Sequence, residues 1–165
     1  MAIEVRPVRP EEYGEAGAVV AGAYREFAVP GDTGWDDYLS RLADVAGRAD
    51  RTLVLVAAEG GRILGCVTLE LEARTEADSD EPLSPEEAHV RMLGVRSDDR
   101  RRGVGRILME AGMKEARRAG KSLITLHTTE RMTAAQRMYA SMGFRRARDH
   151  VFPDGFRLLS YERRL

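Results

Sequence analysis

The sequence is poor in several features that would point directly to a function, and each shortage excludes something. Cys66 is the one cysteine, so no internal disulfide can form and a disulfide-built scaffold is out. The three histidines, His89, His127 and His150, show no metal-ligand spacing, which removes a zinc module. Neither sign of charge dominates: 26 Lys and Arg face 27 Asp and Glu, for a net charge of -1. A generic polyanion binder or membrane-surface protein would need an excess, so any basic site must be local. Lysine is scarce, with Lys114 and Lys121 alone, leaving 24 arginines, a bias that together with abundant Ala and Gly suggests a GC-rich bacterial genome. Long apolar runs are absent too. The longest, Leu53 to Ala58, falls far short of the ~18 residues that span a bilayer. The N-terminus is charged at Glu4, Arg6, Arg9, Glu11 and Glu12 and has no apolar core of a secretory signal, so the cytoplasm is the expected compartment.

What is present fits one globular domain: 165 residues, 43% hydrophobic and 32% charged. Ile3 and Val5 alternate with charged neighbours before Pro7 and Pro10, a short first strand. Ala16, Val19, Val20, Ala23, Tyr24 and Phe27 then recur at helical spacing and form one apolar stripe. Pro30 and Gly31 stop that helix, and Asp36 to Arg48 reads as a second, weaker one. Leu53 to Glu59 and Arg62 to Leu71 are β-rich runs joined by Gly60-Gly61, which suits a tight hairpin. Glu72 to Glu87 holds seven acidic residues and two prolines and reads as a surface loop. Beyond it the pattern predicts a strand (Ala88 to Arg96), helix (Gly103 to Ala119), strand (Ser122 to Thr128) and helix (Thr133 to Met142). Two strands close the chain, Arg145 to Phe152 and Phe156 to Arg163, around Pro153-Asp154-Gly155. Strand, helix, strand implies a parallel right-handed crossover, and a hairpin-built first half makes the whole a mixed-sheet α+β domain.

The segment Arg100-Arg101-Arg102-Gly103-Val104-Gly105-Arg106 lies between a strand and an amphipathic helix, where an anion site would form. Helix N-terminal amides point outward and carry partial positive charge, and glycines let backbone approach a phosphate. A dinucleotide fingerprint needs glycine where Leu108 stands, and the Walker pattern is missing, so neither NAD nor ATP is favoured. The turn alone reads equally well as a glycine-tight connection with a solvated arginine cluster.

Arg100 to Gly105 also matches Q/R-x-x-G-x-G/A, and three ordered segments carry a resemblance to the GNAT superfamily of N-acetyltransferases. Upstream, His89-Val90-Arg91-Met92-Leu93-Gly94-Val95 resembles the family's bulged fourth strand; downstream lie Ala135 to Tyr139 and Ser141-Met142-Gly143-Phe144. The resemblance implies a mostly antiparallel seven-stranded sheet with about four helices, splayed between the fourth and fifth strands. It implies acetyl-CoA as co-substrate, with its pyrophosphate on Arg100, Arg101, Arg102, Gly103, Val104, Gly105 and Arg106. The pantetheine arm would run along Leu93, Gly94 and Val95, and the Leu93 N–H would face the developing oxyanion. No metal is implied.

The implied reaction is attack of a neutral primary amine on the thioester, in a ternary complex. Tyr139 stands where relatives place a tyrosine that protonates the leaving sulfur, although its helical spacing with Ala135, Met138 and Met142 equally suits a core aromatic. His89 replaces a glutamate used by some relatives, and Glu87 on the same strand face is a second candidate base. Met132 replaces an asparagine that helps hold the cofactor arm in many relatives. His127 reads as a satisfied structural histidine or a contact to either substrate; His150 shows no pattern, and Cys66 reads as a packed strand residue. Acceptor selectivity falls to Tyr24, Phe27 and Trp35, with Asp36, Tyr38 and the acidic loop, for a small-molecule amine or a peptide acceptor. A non-catalytic acyl-CoA sensor on the same fold is the competing reading. Nucleic-acid binding through Arg96 to Arg106 is disfavoured by the net charge and by Asp98 and Asp99 inside the cluster. Dimers are common in the resembling family, and the final strand reads as an edge, either pairing or blunted by Arg163 and Arg164.

Overall fold

The computed structural model describes residues 2–72 and 83–165, so most of the acidic loop read at Glu72 to Glu87 lies outside the described residues. Among the described residues the architecture is α+β, with four α-helices and a largely antiparallel open sheet containing one parallel pair. Two compact units divide the chain, each made of two segments: Met1–Leu69 with Met92–Gly112, and Glu70–Arg91 with Met113–Leu165.

In the first unit β1 (Glu4–Pro7), β2 (Leu53–Glu59) and β3 (Arg62–Glu70) pair antiparallel in that order. Gly60 and Gly61, at φ 57° and 80°, make the two-residue turn that lets β2 and β3 follow their natural twist. Helix α1 (Tyr13–Tyr24) buries Ala16, Val19 and Val20 against Val54, Val56, Ile63 and Cys66. Phe27 lies past its end in a 3-10 turn, Arg25–Phe27. Helix α2 (Thr33–Ala43) starts on the Asp32 cap, which accepts from the Gly34 N–H, and it ends earlier than the predicted Arg48. The cause is Arg48 itself, whose buried guanidinium turns back to donate to the carbonyls of Arg41, Leu42 and Asp44 at 2.8, 2.9 and 3.0 Å. A side chain that satisfies those orphan acceptors ends the helix in place of further backbone turns.

β4 (Glu87–Val95) and α3 (Val104–Arg118) each contribute to both units. In the second unit β4 pairs parallel with β5 (Leu123–Thr128), from Glu87↔Leu123 to Val90↔Leu126, where the ladder ends. Helix α4 (Thr133–Ser141) follows. The strand predicted over Arg145 to Phe152 is instead two short pieces, β6 (Arg145–Arg146) and β7 (His150–Val151). β6 pairs Arg146 with Tyr161 of β8 (Arg157–Arg164), and β7 pairs His150 with Leu158. Residues 147–149 thus oppose only 159 and 160, an extra residue that breaks the ladder as a bulge. β8 is not the edge the sequence suggested. β5 occupies one side of it along Thr128↔Leu159 to Leu123↔Arg164, and β6 and β7 occupy the other.

Candidate functional site

Two groups of predicted site residues emerge, one in each unit. In the first, the end of β4 carries Met92 at φ 55°, a left-handed residue inside a strand, just before Leu93, Gly94 and Val95. Gly94 is there for space: a Cβ on it would come 2.9 Å from the Cα of Val20 and 3.2 Å from the Cβ of Ala23, so α1 lies directly on this strand. Gly65 on β3 does the same for α3, since its Cβ would meet Val104 and Leu108 side chains at 2.9 and 3.0 Å. After a 3-10 turn at Ser97–Asp99 the chain passes through two more left-handed residues, Arg101 at φ 69° and Gly103 at φ 79°. A non-glycine residue in that region costs energy and is most often found where function requires it. Ile107 N bonds back to Gly103 O, so the N–H groups of Val104, Gly105 and Arg106 have no intrahelical acceptor. The space a Cβ would take at Gly103 is open.

The arginines of this segment are mostly committed to carboxylates of their own unit. Arg102 bonds Asp99 at 2.8 Å and Glu59 at 2.7 Å, and Arg62 reaches Asp99 at 2.9 Å. Burial pushes the Asp99 carboxyl up, but the bonds from Arg102 and Arg62 outweigh it and hold its pKa below the usual value. The Glu59 carboxyl is likewise lowered, chiefly by the Arg102 hydrogen bond. Arg100 pairs with Glu26, Arg96 with Glu15 at 3.2 Å, and Arg106 with Glu110 at 3.5 Å. Among the described residues Arg101 is the member of the cluster with no ion-pair partner. Arg100, Arg101, Arg102 and Arg106 are exposed, but most are paired with carboxylates, so the turn offers much less free positive charge than the count of arginines suggests.

The aromatic residues expected to face an acceptor gather in the same unit. Tyr24 meets Tyr38 edge-on at 6.1 Å, and Trp35 meets Tyr38 at 5.7 Å. The Arg41 guanidinium lies 5.4 Å from the Tyr38 ring centroid. Phe27 is half-buried, and Asp36 is exposed on α2.

The second unit holds a cavity of about 700 Å³. Glu87 and His89 both line it, as their two-residue separation on β4 requires, and β5 adds Thr125 and His127 by the same alternation. His89 Nδ1 lies 2.7 Å from Thr125 Oγ1, and that hydroxyl also makes a short contact with Glu87 Oε2. The His127 ring stands 5.1 Å from the His89 ring, with its Nδ1 3.0 Å from Ser160 Oγ. An ion pair between buried Glu70 and half-buried Arg91, at 3.2 Å, also borders the cavity. Asp149 and His150 enter from the bulged segment. Asp149 is held below the usual carboxylate range mainly by its hydrogen bond from Arg146, at 2.6 Å.

Tyr139 is buried in the second unit at 5% exposure, its ring 5.8 Å from Phe144 and 5.9 Å from Tyr161. Burial alone drives its phenol pKa upward, so it keeps its proton at neutral pH. Met132 precedes α4 and receives the Thr128 hydroxyl on its sulfur at 3.5 Å. Cys66 is fully buried in β3, and burial pushes its thiol up to about 12, which leaves it inert. Thr125, Arg91, Glu70 and Asp149 were not singled out by sequence reasoning. Strand alternation signalled Thr125, two residues from His127, and Arg91, two residues from His89; Glu70 and Asp149 reach the cavity through strand register and a bulge.

The profile of the acetyltransferase (GNAT) family matches residues 19–144. The mycothiol acetyltransferase of Thermobispora bispora is 33% identical over 91 residues, which is 55% of this chain and 29% of that protein. The chain thus spans less than a third of the curated relative it matches. An acetyltransferase of the GNAT family from Staphylococcus aureus Mu50 superposes with a TM-score of 0.74 at 17% identity, covering 99% of each chain. The Salmonella typhimurium protein yncA, solved with its cofactor acetyl-CoA, superposes with a TM-score of 0.72 at 19% identity, over 100% of this chain and 95% of that one.

Proposed function

The chain belongs to the GNAT family of acetyltransferases, and on that premise we propose that it moves the acetyl group of acetyl-CoA to a primary amine, either a small molecule or a protein N-terminus. The observation that carries this reading is the turn before α3. There two left-handed residues, one of them the open Gly103, and three amides without intrahelical acceptors follow a strand interrupted at Met92. That arrangement suits a pyrophosphate, because the donors are backbone groups held by the fold and, among the described residues, nothing lies within 4 Å of where a Cβ on Gly103 would stand. The N–H groups of Val104, Gly105 and Arg106 and the Arg101 guanidinium would hold it, while Arg100 and Arg102, already paired, shape the loop. The backbone of Leu93, Gly94 and Val95 would take the pantetheine arm as an added strand.

Acetyl-CoA supplies an activated thioester; the chain supplies the proton handling and charge stabilisation. Leu93 N–H is offered to the carbonyl oxygen as negative charge grows there. His89 takes a proton from the acceptor nitrogen, and Tyr139, protonated at neutral pH as a phenol is, gives one to the departing sulfur. Tyr24, Phe27 and Trp35 would meet the acceptor, where aromatic faces favour a cationic amine.

Thermal unfolding with acetyl-CoA, CoA, NAD and ATP in parallel tests the co-substrate. A ligand at ~100 times its Kd stabilises by about 2.7 kcal/mol, so a shift with acetyl-CoA and CoA alone is expected. No shift with either would end the reading. Free-thiol release across an amine screen then separates transfer from mere binding.

A further inference from the structure

We propose that Thr125 is a positioning residue that fixes the tautomer of His89, with Glu87 as the anchor behind it, so that Nε2 of His89 is the atom that receives the acceptor's proton. The last step rests on the acetyl-transfer reading above; the hydrogen-bond chain stands without it. Strand register creates the chain. His89 and Thr125 are direct partners in the β4–β5 ladder, and Glu87 shares their face two residues earlier.

A threonine hydroxyl has one proton to give and two lone pairs to accept with. Three groups surround Thr125 Oγ1: Glu87 Oε2 at short range, His89 Nδ1 at 2.7 Å, and Ala88 O at 3.5 Å, the outer limit of a hydrogen bond. An ionised carboxylate can only accept, and it is the strongest acceptor of the three. Glu87 already behaves as an acceptor, since its other oxygen takes the Ser84 N–H at 3.3 Å. The Thr125 proton therefore lies on the Glu87 side. The hydroxyl oxygen must then accept from His89, which places the imidazole proton on Nδ1. A neutral imidazole has one N–H, so Nε2 carries the lone pair.

When one proton leaves the acceptor's ammonium for Nε2, those on Nδ1 and Thr125 stay where they are. The Nδ1–H bond becomes charge-assisted, and the Glu87 charge one hydroxyl away stabilises the imidazolium. Glu87 is thus an anchor, not the base. Other charged or titratable groups line the same cavity: Arg91 on β4, Glu70 at the end of β3, and His127 on β5. Arg148, Asp149 and His150 of the bulged segment and Tyr161 of β8 complete them. None of these contacts Thr125 Oγ1 among the bonds described.

The test has two arms on the full chain. Long-range 1H–15N correlation of the labelled protein, with His89→Gln to assign the ring, is expected to show Nδ1 protonated and Nε2 bare. It is also expected to show Thr125→Val losing that preference and Thr125→Ser keeping it. A bare Nδ1 in the wild type overturns the proposal whether or not an acceptor has been found. With an acceptor, Thr125→Val should lower kcat about tenfold, part of the 10²–10⁴ a general base contributes, with KM for acetyl-CoA unchanged. The acidic limb of its pH–rate profile should move to lower pH, because the imidazolium has lost its support, and Thr125→Ser should restore both. An unmoved limb with an unchanged kcat would overturn the role, and a protein that acetylates no amine while showing the expected tautomer would count against the acetyl-transfer reading alone.

Discussion

The glycine turn of the first unit and the cavity of the second are built from opposite materials. The turn is backbone: left-handed residues, helix-end amides and glycines placed for close approach, with its arginines largely neutralised by Asp99, Glu59, Glu26 and Glu15. The cavity is side chain: histidines, carboxylates and hydroxyls drawn from five separate stretches of chain. A site made of backbone is contiguous in sequence and tolerates changes in neighbouring side chains. A site made of side chains depends on which strands pair and in which register.

The sharpest way to break this contrast is Gly103→Asp, which puts a carboxylate into the open space in front of the α3 amides. The acetyl-CoA-dependent rise in unfolding temperature, measured against the variant's own midpoint, is expected to vanish; a retained shift would mean that the turn is not the anion site. Next comes Tyr139→Phe. The ring contacts to Phe144 and Tyr161 survive, so stability should change by less than about 1 kcal/mol, while kcat falls roughly 10²-fold. An unaltered kcat would leave Tyr139 as a core residue only.

A smaller effect tests whether β4's end is backbone-limited. Gly94→Ala should destabilise by about 2 kcal/mol in denaturant unfolding, since its new methyl meets the Val20 backbone rather than a side chain that can move aside. The smallest concerns charge in the first unit. Glu12 takes two bonds from Arg6, at 2.6 and 2.9 Å, and these lower its pKa from 4.5 to about 2. A depressed carboxyl stabilises the fold above its unfolded value, and that support is lost as pH falls from about 4.5 towards 2. Glu12→Gln should therefore cost roughly 1 kcal/mol at neutral pH, allowing for partial exposure, and flatten stability across that window. An unchanged acid profile would place the dependence elsewhere.

Local reasoning found the hairpin at Gly60-Gly61, the apolar stripe of α1, the helix–strand order after Ala88 and the turn at Arg100 to Gly105, because each is encoded within a few residues of itself. It placed Glu87 and His89 on one face for the same reason. It overextended α2 because nothing in the run Asp36 to Arg48 reveals that Arg48 turns back onto that helix's carbonyls. It read Arg145 to Phe152 as one strand because a bulge is a mismatch with a partner, and the partner is β8. It took β8 for an edge because the chain ends there, whereas strands before it in sequence lie on both its sides.

Sequence alone determined the order of most elements, the phosphate-compatible turn and the family resemblance, since these rest on periodicity, chirality and short motifs. Tertiary structure alone decided that Thr125 stands between Glu87 and His89, that Asp149 and His150 share a cavity with those three, and that Arg102 of the turn pairs with Glu59. The His89–Thr125 and Arg102–Glu59 contacts join residues 36 and 43 positions apart, and hydrogen bonds and ion pairs act over a few ångströms in space whatever the separation along the chain.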